Sequence, residues 1–101
     1  MAIHISRRVL LKLEEKHDVS EAEVRQCFQN LEGTYLRDLR EKHGTVPPTY
    51  WFIAETNHRR RLKVVFIASK DEATGKTRID IKTAYPPDRD ELAIYERHGH
   101  E

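Results

Sequence analysis

Cysteine, glycine, proline and long apolar runs are all scarce in this 101-residue chain. Each scarcity removes a class of protein. A single cysteine, Cys27, excludes an internal disulfide and any zinc site built on several thiolates, and fits a reducing compartment. No run of about 18 apolar residues exists, the length that a membrane-crossing helix needs. The longest uncharged stretch, Gly44 to Ala54, carries Pro47 and Pro48 inside it. The first residues reach charge by Arg7 and lack the apolar segment and small-residue cleavage site of a secretory leader. The expectation is a soluble, cytoplasmic domain with no membrane contact.

An excess of one charge is also missing. Eighteen Lys and Arg stand against 17 Asp and Glu, a formal net charge of +1. On that total a strongly basic nucleic-acid binder is disfavoured. The residues are 35% charged and 38% hydrophobic, and apolar side chains recur throughout. A chain of low hydrophobicity and high net charge, the signature of disorder, is therefore excluded. The length fits one domain over residues 1–101, with no repeat, linker or low-complexity tract.

The near-zero total hides an uneven distribution. Residues 1–55 hold eight bases and nine acids, and residues 71–101 hold five and eight. Between them, residues 56–70 hold five bases (Arg59, Arg60, Arg61, Lys63, Lys70) and no acid. Binding depends on such a patch rather than on the total, so +1 does not exclude RNA.

Three helices are predicted. Ser20 and Glu23 form an S-x-x-E capping box, and Val19 with Val24 a hydrophobic staple. Val24, Cys27, Phe28 and Leu31 then follow the spacing of one buried face, with Gly33 as the stop, which predicts a helix over 20–32. An earlier helix is expected over 6–17, with Ile5, Val9, Leu10 and Leu13 as its apolar stripe. A third, over 88–98, follows Pro86-Pro87 with Asp88 as cap, Glu91 at its third position, and Leu92 and Tyr95 turned to the core.

Between the helices the period changes to two. Residues 50–54 and 62–68 read as buried strands, and residues 78–82 alternate cleanly, with Ile79 and Ile81 on one side. Asp71 to Lys76 reads as the connection of the last two strands. Thr34 to Leu39 is a further candidate strand. The expected architecture is α+β: two N-terminal helices, an antiparallel sheet of three to four strands, and a C-terminal helix. All helices are expected on one sheet face, leaving the other open.

That open face is the first candidate site. Alternation puts Arg78 and Lys82 on one side of a strand, roughly 13 Å apart at about 3.3 Å per residue. Arg59, Arg60 and Arg61 lead into the neighbouring strand, with Tyr35, Tyr85 and His58 as further members. Arginine grips phosphate with a two-pronged fork, and tyrosine or histidine beside it stacks on bases or moves protons. An ordinary solvated sheet face, its bases paired with Asp80 or Glu55, accounts for the same pattern.

The six histidines form no metal-ligand spacing, and no metal or cofactor is expected. His98-Gly99-His100 reads as a tail, Cys27 as a small core residue, and His17 as a cation at a helix C-terminus.

With these residues in place, the sequence resembles the BrnT-type branch of the RelE/ParE-like toxins of bacterial toxin–antitoxin systems. Lys16-His17-Asp18-Val19-Ser20-Glu21, with Phe28 beyond, is similar to the K-H-G-V-S-F-E segment of that family. Asp18 stands where its glycine is usual. Leu62-Lys63-Val64-Val65-Phe66 resembles its central strand. Arg78-Ile79-Asp80-Ile81-Lys82-Thr83-Ala84 and Glu91-Leu92-Ala93-Ile94-Tyr95-Glu96 resemble its closing strand and R-E-x-x-x-Y-E helix. The opening His4-Ile5-Ser6-Arg7-Arg8 is similar to that of small uncharacterised relatives. The segment Arg40 to Pro48 is longer than the usual form.

The resemblance implies a RelE-like fold, metal-independent RNA cleavage and inhibition by a cognate antitoxin. The positions that match are His17, Arg78, Lys82, Glu91 and Tyr95. It makes Arg78 and Lys82 phosphate and transition-state ligands and His17 an acid or base. Lys16 joins them from the helix end, and with Arg59, Arg60, Arg61 and Tyr85 of the open face read above it makes the expected substrate-binding set. Glu91 and Tyr95 read equally as helix-packing residues. The leading expectation is an endoribonuclease toxin with RNA, free or ribosome-associated, and an antitoxin as partners. The alternatives are a non-catalytic nucleic-acid- or protein-binding module on the same fold, and an enzyme on ADP-ribose or nucleotide-type substrates.

Overall fold

The computed structural model describes residues 2–38 and 48–99. Five strands and three helices follow in the order β1 (Ala2–His4), α1 (Arg7–His17), α2 (Glu21–Gln29), β2 (Leu36–Arg37), β3 (Thr49–Glu55), β4 (Arg61–Lys70), β5 (Thr77–Tyr85) and α3 (Arg89–His98). The strands form one sheet in the order β1-β5-β4-β3-β2. The architecture is α+β as expected, but the sheet is mixed and five-stranded rather than antiparallel with three to four strands. β1 pairs parallel to β5, Ala2 with Arg78 through His4 with Asp80. Three residues are too short to show a period, so this edge strand left no signal in the sequence. Of the candidate strand Thr34 to Leu39, only Leu36–Arg37 pairs, and Leu39 lies outside the described residues. The long segment Arg40 to Pro48 lies outside them too, apart from Pro48.

The helices do not share one face. In an antiparallel pair, alternate residues point to opposite sides. Phe28 of α2 lies edge-on to Phe52 and Phe66, ring centroids 4.8 and 5.6 Å away. Tyr95 of α3 instead meets Trp51, and Glu91 meets Lys63, on the opposite side. The expectation of one open sheet face is thus corrected: α2 covers one side, and α3 crosses part of the other. Both sides of β3 and β4 are buried, which is why their sequences read as continuous apolar runs.

Local signals set the helix ends. Glu23 N–H donates to the Ser20 hydroxyl at 3.2 Å, and Ser20 N–H donates to the Glu23 carboxylate at 3.1 Å, completing the predicted capping box. Asp88 and Glu91 form a second box at the start of α3. α2 ends at Gln29, earlier than its pattern suggests. Gly33, predicted as the stop, lies beyond that end and serves close packing: a Cβ there would lie 2.6 Å from the Tyr95 hydroxyl and against the Gly99 carbonyl.

The β4–β5 ladder carries one irregularity. Val65 pairs with Thr83 and Phe66 with Ile81, so Lys82 is an extra residue in β5. The bulge changes which residues are buried, from Ile79 and Ile81 to Ala84. Beyond Asp80, no strand pairs with β5 on its β1 side among the described residues.

Candidate functional site at the C-terminal ends of α1 and β5

α1 delivers Lys16 and His17 to the end of β5. Its last turn closes on Asp18, a non-glycine residue in the left-handed region (φ 51°), where Val19 N–H donates to Leu13 O at 3.0 Å. The unpaired carbonyls of this helix end are met by a side chain from the β3–β4 turn. Arg60 donates to Asp18 O at 2.5 Å and to His17 O at 2.9 Å, and pairs with Glu23 at 3.1 Å. That turn is tightly made. Thr56 Oγ1 accepts from Arg60 N–H and His58 N–H, and Arg59 sits at φ 62°. Two left-handed non-glycine residues therefore flank the Arg60 clamp, a concentration of strain typical of functional loops.

The His17 imidazole lies against the Tyr85 ring, centroids 5.6 Å apart and planes inclined by 38°. Tyr85 is fixed in turn. Its hydroxyl donates to Glu91 Oε2 at 2.9 Å, and Lys63 Nζ donates to the same oxygen at 2.5 Å. Asp88 N–H holds the other carboxylate oxygen at 3.0 Å. Lys63 is 1% exposed, and its ammonium lies 4.5 Å from the Trp51 ring centroid and 5.7 Å from that of Tyr85. Burial pushes the Glu91 carboxyl up, but the Lys63 bond, the Asp88 amide and the Tyr85 hydroxyl outweigh it and hold the group below its ordinary value. A buried ion pair of this kind is costly to break and fixes geometry where it stands.

The sequence-predicted residues do not form one site. His17 and Tyr85 meet at this end, Arg60 is committed to the helix carbonyls there, and the exposed Lys16 precedes His17 in α1. Arg78 lies seven residues along β5 from Tyr85, roughly 23 Å at about 3.3 Å per residue. It pairs there with Asp80 at 3.1 Å, in solvent. Lys82 stands exposed on the bulge between the two ends. Arg59 is exposed in the β3–β4 turn. Arg61 alternates to the α3 side and lines a cleft of about 650 Å³ with Ile53, Leu92 and Tyr95. Glu32, Glu55 and Glu96 also line that cleft, and three carboxylates around one guanidinium set it against an anionic ligand. Tyr35, expected beside Tyr85, packs on the α2 side against Phe28, Phe52 and Phe66. Glu91 and Tyr95 both pack α3, Tyr95 through a bond to Thr34 O at 2.9 Å.

Two members of the network went unpredicted as such, Lys63 and Trp51. A lysine inside Leu62-Lys63-Val64-Val65-Phe66 was the available signal, because lysine is almost never fully buried without a partner. Cys27 is buried and donates weakly to Ala54 O, and burial pushes its thiol up to about 12, the surroundings of a small core residue. Among the described residues no cluster of three or more His, Cys, Asp or Glu is placed to hold a metal, and no helix is long and apolar enough to cross a membrane.

No protein-family model matches the chain, and no curated protein is similar to it in sequence.

Proposed function

We propose that the protein is an endoribonuclease toxin of RelE-like fold, acting without a metal in the cytoplasm and restrained by a cognate antitoxin. The observation that carries this reading is the His17 imidazole held on the anchored Tyr85 ring, one residue after the exposed Lys16 in α1. Imidazole is the side chain best suited to exchange protons near neutral pH. In the proposed reaction His17 takes the proton of a ribose 2′-OH, and that oxygen bonds to the adjacent phosphorus. The bond from phosphorus to the 5′-oxygen breaks, and this oxygen leaves with the proton that the imidazolium of His17 returns, which restores the neutral ring. Lys16 balances the phosphate charge, and Tyr85 orients the imidazole and offers a face for a base.

The test is incubation of the purified protein with end-labelled single-stranded RNA in the presence of a chelator. Products ending in a 2′,3′-cyclic phosphate, lost in His17→Ala, are expected. Intact RNA at all protein concentrations would overturn the reading.

A second reading, RNA binding without cleavage, is favoured by one observation. Arg60 is spent on helix carbonyls and Arg78 on Asp80, so neither guanidinium lies open beside His17 to hold a transition state. A salt-sensitive binding isotherm with unbroken RNA would select it.

A further inference from the structure

The bases of this chain differ in what they touch. Arg25 pairs with Glu21, Arg60 with Glu23, Lys63 with Glu91 and Arg78 with Asp80. Arg8, Lys12 and Lys16 of α1 are all exposed, and among the described residues they make no ion pair and no side-chain hydrogen bond. They recur every four residues, so they form one stripe along the helix, roughly 12 Å long at about 1.5 Å per residue. No acid occupies the positions four residues before or after any of them, and Glu15, three residues after Lys12, makes no ion pair with it among the described residues. Like charges at this spacing destabilise a helix, and α1 holds two such pairs in succession. Packing does not require the stripe, because α1 buries Leu13 on another side.

The stripe ends one residue short of His17. Its last member, Lys16, precedes His17, whose ring meets Tyr85. We infer that Arg8 and Lys12 form a phosphate track that continues the Lys16–His17 site along α1 and holds the backbone of single-stranded RNA. This inference rests on the endoribonuclease reading and deepens it. The stacking face at one end and the row of flexible cations leading from it match how single strands are gripped: rings hold bases while cations follow the phosphates. An anionic membrane surface would attract the same charges, but Leu11 is the single exposed large apolar residue of α1, too little for insertion into an interface.

The test uses the full chain and fluorescein-labelled oligouridine, with affinity read by anisotropy from about 50 to 200 mM salt. The double variant Arg8→Gln/Lys12→Gln is compared with Lys76→Gln/Arg97→Gln, which removes the same charge from exposed positions elsewhere. Each phosphate contact on a single strand contributes about 0.7 to the slope of log affinity against log salt. The α1 variant is therefore expected to lower the slope by about 1.4 and the control to leave it unchanged, with circular dichroism the same in all three proteins. Equal losses in both variants, or no change in the α1 variant while wild type binds, would overturn the track alone. Wild type that neither binds nor cleaves RNA would overturn the endoribonuclease reading itself. Tighter binding to phosphatidylserine vesicles than to RNA, abolished in the α1 variant, would reassign the stripe to membranes and overturn the track.

Discussion

The two ends of β5 carry similar chemistry in the sequence and meet opposite surroundings in the fold. At one end Tyr85 is fixed by Glu91, and Glu91 by a lysine that is 1% exposed. At the other end Arg78 pairs with Asp80, two residues away on its own strand and in solvent. Exposed pairs of that kind contribute about 0–1 kcal/mol and leave both side chains mobile. The lesson is that charge and alternation nominate residues, whereas burial of their partners decides which become positioned groups. His17 acquires a fixed neighbour through this rule, and Arg78 does not.

The largest expected effect tests the buried pair. Lys63→Ala leaves the Glu91 carboxylate without its cation and should cost about 3–5 kcal/mol in urea unfolding. Arg78→Ala should stay within about 0.5 kcal/mol of wild type. Replacing both partners, as Lys63→Met with Glu91→Gln, should recover part of the loss, because no buried charge is stranded. Comparable costs at Lys63 and Arg78 would break the contrast between the two ends.

Next in size is the clamp on α1. Arg60→Ala removes charged hydrogen bonds to His17 O and Asp18 O and should cost about 1.5–3 kcal/mol. Loss of exchange protection at the amides of the last turn of α1 should accompany it. An unchanged unfolding curve would remove Arg60 from the account.

The acid limb of stability gives a third test. Glu91 and Glu23 both lie below their ordinary values. For each, burial acts upward and is outweighed, by Lys63, Asp88 and Tyr85 for Glu91 and by Ser20 and Arg60 for Glu23. Unfolded glutamates near pH 4.3 bind protons first on acidification. The stabilisation is therefore complete above about that pH and is lost as pH falls through the lower, folded values. Glu91→Gln should flatten this limb, seen by unfolding at a series of pH values. An acid limb as steep as in wild type would show that Glu91 does not carry the linkage.

The smallest effect concerns backbone. Asp18 holds φ 51°, where glycine meets no Cβ penalty. Asp18→Gly should raise stability by up to about 1 kcal/mol in thermal unfolding, and a loss would show that the Asp18 side chain supports the turn.

Much of this fold was legible because its signals are local. The capping boxes at Ser20 and Asp88 and the long apolar strands lie within a few residues of sequence, and their elements formed where expected. β1 was not legible, since three residues cannot show a period and its partner lies more than 70 residues away. The side taken by α3 was equally hidden, because it depends on which partner Lys63 finds. The site divides in the same way. His17 and Tyr85 were legible as residue types, but their contact spans α1 and β5. Arg60 reads as a substrate ligand in sequence and acts as a helix cap in the fold, because a base run does not specify which arginine turns inward.

The most direct measurement of the central claim is the rate of single-stranded RNA cleavage by wild type, His17→Ala and Arg78→Ala side by side. A loss of at least ~10²-fold is expected for His17→Ala, the scale of a removed acid–base group, and a nearly unchanged rate for Arg78→Ala. Full activity in His17→Ala with loss in Arg78→Ala would place the chemistry at the other end of β5 and contradict it.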